Sequence, residues 1–204
     1  MQERMEGLIP GEVKNYPIFV ASDITIAPEA AIEFYKKIRD TCNRAIARHF
    51  GEKCASFLPL DFVDHQENES VSCSEAARLV LSKVNLAELG VFYLGFNSTD
   101  IGMMLGRAKV NHLPVIFLYE VEKESELKRR EPKNWWRVKN REELQFAPPS
   151  GVITPNSYES FMVPESLYDR IHAEIIFRKE EEGLSKLEQE VDRFFAKIGK
   201  LRLL

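Results

Sequence analysis

The chain has 204 residues, 44% of them apolar, which is enough for one domain with a sizeable core. Its net charge of −4 gives no electrostatic case for binding nucleic acid. No apolar run reaches the ~18–20 residues that span a bilayer, so no membrane partner is expected. Residues Met1 to Gly7 carry Glu3 and Glu6 and no apolar stretch. No secretory signal is therefore expected, and the chain reads as cytoplasmic. Cys42, Cys54 and Cys73 are odd in number and widely spaced, with no CxxC pair or histidine cluster. They read as reduced thiols, without a disulfide framework, a metal centre or a bound cofactor.

Residues Pro17 to Ser22 (PIFVAS) form a short apolar run, the first buried strand. Pro28 suits a first helical turn, and Phe34, Ile38, Cys42, Ala45 and Ile46 follow at helical spacing to Gly51. Ala55 to Leu60 reads as a second strand with Pro59 at its end. Ser72-Cys73-Ser74-Glu75 is a capping box that opens a helix with Ala77, Val80, Leu81 and Val84 on one face. Leu89 to Leu94 (LGVFYL) is apolar on both sides, as buried parallel strands are. Asn97 to Asp100 is a turn and cap before a helix through Ala108, and Pro114 to Tyr119 (PVIFLY) is the fourth strand.

Glu120 to Glu143 is dense in charge and holds Trp135 and Trp136. It reads either as a solvated insertion or as a lid with an aromatic platform. Gly151 to Thr154 is a candidate fifth strand. Beyond Pro164 the chain reads as helical, with Gly183 expected to bend or break it. Leu184, Leu187, Val191, Phe194, Ile198 and Leu201 form a heptad seam that suits the domain's own sheet or a second subunit.

Strands alternating with helices predict an α/β fold, a doubly wound and mostly parallel sheet of Rossmann or flavodoxin-like kind with a long helical C-terminal segment. The expected division is an α/β domain over 1–155, with the charged insertion at about 120–148, and a helical extension over 156–204. The acidic cluster Asp61, Asp64, His65 and Glu67 follows the second strand. It reads as solvated, or as a metal or acid–base site, because loops after such strands face the ligand crevice.

The stretch Ala87 to Tyr119, AELGVFYLGFNSTDIGMMLGRAKVNHLPVIFLY, resembles the nucleoside 2-deoxyribosyltransferase family, including its deoxynucleoside-monophosphate N-glycosidase branch. The likeness lies in the Asn97-Ser98 turn, the Gly102 to Ala108 helix start and the Leu113-Pro114-Val115-Ile116 strand. Ile18 to Ile24 is similar to the family's first strand and substrate loop, and the resemblance spans roughly the first 120 residues.

The resemblance implies a glutamate nucleophile, an aspartate that protonates the departing base and a tyrosine that holds the glutamate. Those positions fall here on Met104, Val80 and Phe19. Removing one member of a buried polar cluster leaves the others unsatisfied, whereas replacing all of them by apolar groups does not. Phe19, Val80 and Met104 therefore read as a dry patch or as plain core, and neither supplies the family nucleophile.

By the same resemblance Ser98 lies where relatives contact a 5′-phosphate, and the amides at Asp100 to Gly102 would add donors. Asp100 itself disfavours a phosphate and reads also as a helix cap. Ser22 and Asp23 fall in the substrate loop, where Asp23 suits a ribose hydroxyl or a turn cap. Three functions are expected candidates. One is a nucleoside- or nucleotide-binding protein without the chemistry. Another is an active glycosidase or transferase with relocated acids, and the third is an interaction module. Because relatives build sites between subunits, a homodimer or larger oligomer is expected.

Overall fold

The computed structural model describes residues 15–22, 29–62, 73–94, 99–120 and 171–202. Five parallel strands form one sheet in the order β2-β1-β3-β4-β5, with helices on both faces. The strands are β1 (Asn15–Ala21), β2 (Cys54–Phe57), β3 (Leu89–Tyr93), β4 (Val115–Glu120) and β5 (Ile171–Phe177). The helices are α1 (Glu29–Phe50), α2 (Cys73–Leu86), α3 (Thr99–Val110) and α4 (Glu180–Arg202). This is the doubly wound architecture that the alternation of apolar runs and helical stripes predicts.

Strand alternation divides the core into two layers. Ile18, Val20, Leu89, Val91, Tyr93, Ile116 and Leu118 point toward α1 and α4, where they meet Phe34, Ile38, Leu187 and Val191. Phe19, Ala21, Phe92, Val115 and Phe117 point the other way, onto Val80 and Val84 of α2 and Met104 and Leu105 of α3. Helix α1 ends where Gly51 takes a φ of +67°, the left-handed conformation that closes a helix without a Cβ penalty. Strand β2 stops at Phe57, short of the expected Leu60, because Pro59 has no N–H for a ladder and instead opens a 3-10 turn, Pro59–Asp61.

The segment expected to be a helical extension from residue 156 contains a strand. β5, IHAEIIF, pairs in parallel with β4 from Val115↔Ile171 to Glu120↔Phe177. Its Ile and Phe content suits a pleated surface, but the run reads as a strand only when the β4 edge is available to pair with it. Residues 121–170 lie outside the described residues, and with them Trp135, Trp136 and the candidate strand Gly151–Thr154.

Helix α4 continues unbroken through Gly183. A Cβ at that position would lie 2.6 Å from the Phe177 ring, so the glycine lets the first turn of α4 settle on the end of β5. The heptad seam faces the chain's own core. Leu187 and Val191 are fully buried, Phe194 nearly so, and Leu184 and Ile198 pack against the same layer. Ion pairs between α1 and α4 climb both helices in step, from Lys37–Glu180 to Arg44–Glu188 to Arg48–Asp192, so the two run side by side in the same direction. Among the described residues no helix is long and apolar enough to cross a membrane.

Candidate functional site

In the order β2-β1-β3-β4-β5 the chain winds one way from β1 to β2 and the other way from β3 onward. The switch lies between β1 and β3, and open α/β sheets bind ligands outside the carboxyl ends of the strands at such a point. Ser22 is the residue immediately after β1 and is completely buried. Among the described residues no atom hydrogen-bonds its Oγ. A buried hydroxyl left unpaired costs roughly 1–3 kcal/mol, so such a group calls for an explanation, and a ligand atom is one.

On the β3 side, α3 begins at Thr99, with Asp100 in its first turn and Gly102 buried. This turn sits at the positive end of the helix dipole. Ser22, Asp100 and Gly102 thus come from the two elements that flank the switch. Asp23 and Ser98, expected in the adjoining loops, lie outside the described residues.

Phe19, Val80 and Met104 are each fully enclosed in the layer beneath α2 and α3. Phe19 stacks on Phe57 with ring centroids 5.9 Å apart. Alternation along β1 puts Phe19 on the opposite sheet face from Ser22. The triple is ordinary core, and none of the three can exchange a proton or attack a sugar carbon.

Of the acidic cluster after β2, Asp61 accepts a 2.5 Å hydrogen bond from Arg39. Burial pushes the Asp61 carboxyl up, and the Arg39 charge opposes that rise. Arg39 also bonds Asp40, so Asp61 serves an ion-pair network at the start of the loop. Asp64, His65 and Glu67 lie outside the described residues. Cys42 is buried in α1, and desolvation drives its thiol far above the ordinary range, leaving it an inert apolar group.

A further pair escaped the sequence reading. Tyr93, at the end of β3, donates a 2.8 Å hydrogen bond to Glu120 Oε2, at the end of β4. Tyr93 is 3% exposed and packs edge-on against Phe34 at 4.7 Å. Burial first, and then the Glu120 charge, push the phenol upward, so it remains a protonated donor. The available signal was position. Both residues are the polar termini of apolar strand runs, LGVFY and VIFLYE, where ligand-facing groups of this architecture lie.

No family model matches the sequence, and no curated protein matches it. A solved crystal structure, that of a conserved protein from Enterococcus faecalis V583, is similar with a TM-score of 0.52. The alignment covers 85% of this chain and 98% of that chain at 14% identity, a likeness of fold alone.

Proposed function

We propose that this chain is a nucleoside- or nucleotide-binding protein, similar to the nucleoside 2-deoxyribosyltransferases, that lacks their glycosidic-bond chemistry. The observation that carries the reading is Ser22, a completely buried hydroxyl with no partner among the described residues, at the strand end where the winding reverses. The start of α3, at Asp100 to Gly102, follows β3 at the carboxyl end of the sheet, and Asp23 and Ser98 belong to the same expected ligand set. The loss of chemistry rests on the burial of Phe19, Val80 and Met104 in apolar surroundings. A nucleophile and a proton donor are both needed to break the bond, and a positioned general acid alone contributes ~10²–10⁴-fold. The homodimer or larger oligomer proposed with this reading rests on the resemblance, since the α4 seam is already covered by the chain itself.

The test is a ligand-dependent thermal shift with common nucleosides, deoxynucleosides and their monophosphates, paired with chromatography of free base. At least one compound should raise Tm, with stabilisation growing as the logarithm of its excess over Kd and reaching ~2.7 kcal/mol at a hundredfold excess. No base should appear above a protein-free control. If no compound shifts Tm, the binding reading fails. Base release that Asp23→Ala or Asp100→Ala abolishes would establish an active enzyme with relocated acids.

A further inference from the structure

Ser22, Tyr93 and Glu120 lie on one sheet face at one end of three strands. Ser22 stands one residue beyond the Ala21↔Phe92 pair, which brings it alongside Tyr93 on a strand ~4.8 Å away. Tyr93 pairs with Leu118, and Glu120 follows two residues later, back on the same face. The Tyr93 hydroxyl closes the gap to Glu120 at 2.8 Å. The result is a polar line from β1 to β4 that crosses the winding switch and is walled by Phe34 and Phe177.

The line has a definite hydrogen-bonding polarity. Tyr93 spends its proton on one Glu120 oxygen and so orients the carboxylate. Among the described residues the other oxygen, Oε1, makes no hydrogen bond, and Ser22 Oγ makes none either. The open positions are an anionic acceptor and a hydroxyl that both donates and accepts. Among the described residues no Lys or Arg bonds to Ser22 or Glu120, and Lys37, in the third turn of α1, is held by Glu180. Among the described residues an anionic group therefore finds no cation bonded to this line. Neutral hydroxyls fit, because they donate to the carboxylate and exchange hydrogen bonds with the serine.

We propose that Ser22 and Glu120, with Tyr93 as the positioning residue, bind the sugar hydroxyls of a ribose-type ligand. This deepens the nucleoside-binding reading and rests on it for the identity of the whole ligand. The same hydroxyl chemistry is offered by a free pentose, so the experiment separates the two.

The full chain is titrated calorimetrically with ribonucleosides, their 2′-deoxy and 2′,3′-dideoxy counterparts, and D-ribose. Wild type, Ser22→Ala, Glu120→Gln and Tyr93→Phe are compared. Loss of both hydroxyls should weaken binding to wild type by ~10-fold or more, as expected when buried polar groups are left unpaired. That ratio should fall to within about twofold in Glu120→Gln and shrink in Tyr93→Phe, a change that a merely structural tyrosine would not produce. If Glu120→Gln does not fold, the ratio in Ser22→Ala decides. Nucleosides bound equally well with and without sugar hydroxyls would overturn the inference and leave the nucleoside reading standing. Binding of D-ribose that Glu120→Gln abolishes, with no nucleoside bound, would keep the hydroxyl site and overturn that reading. Binding of neither would overturn both.

Discussion

Ser22 is a small polar group to which the described residues offer no hydrogen-bond partner. Its neighbours along β1, Ile18 and Val20, are core on the same face, so the hydroxyl stands where another methyl would have served packing better. Ser22→Ala should therefore raise the stability of the ligand-free protein by ~1 kcal/mol, seen as a higher urea midpoint at unchanged slope. A lower midpoint would mean that the hydroxyl already has a partner. Ser22 was legible from the sequence because it ends an apolar run at a strand terminus. Glu120 was not, because it opens a charged segment and reads as the start of an insertion. Only the neighbouring Tyr93, 27 residues earlier in the chain, gives it a role.

Helix α4 and strand β5 show what limits such reading at the level of the element. The seam of α4 is periodic and strong, yet its period does not say which surface covers it. Gly183 reads as a helix breaker, but the helix tolerates it because Phe177 occupies the space a side chain would need. Gly183→Ala should destabilise by ~1–3 kcal/mol through overpacking. Gly199→Ala, in the same helix with open space around it, should stabilise by ~0.5–1 kcal/mol. Equal effects at the two sites in chemical denaturation would remove the packing argument.

The α1–α4 contact also carries a pH dependence. Burial alone would raise the Glu188 and Asp192 carboxyls, but Arg48 bonded to both, Arg44 on Glu188 and His49 on Asp192 more than offset it and hold both low. A depressed carboxyl pKa contributes stability above its unfolded value and loses it as pH falls through the folded value. The contribution should be complete at neutral pH and fade below about pH 4. The pairs are partly exposed, so its size is modest and salt-sensitive. Arg48→Ala should lower the urea midpoint at pH 7 and match wild type near pH 2. A difference that persists into acid would point to lost packing of the arginine stem instead.

For the molecule as a whole, α4 is part of the domain's own core. Val191→Asp should abolish the folded far-UV and near-UV signals, because it buries an unpaired charge between α4 and the sheet. A folded variant of smaller assembly size would instead mark the seam as an interface between subunits. The sequence by itself determined the α/β class, the first four strands and three helices to within a few residues, and the apolar character of Phe19, Val80 and Met104. These are local properties, set by the period of apolar side chains and by turn and cap residues within one window. Only the tertiary structure decided that 171–177 is a strand, that Gly183 is a packing site, that α4 lies on α1, and that Ser22, Tyr93 and Glu120 share one end of the sheet. Each of those depends on a partner far along the chain, and a hydrogen-bond ladder, a buried ring or a shared sheet face exists only once that partner is in place.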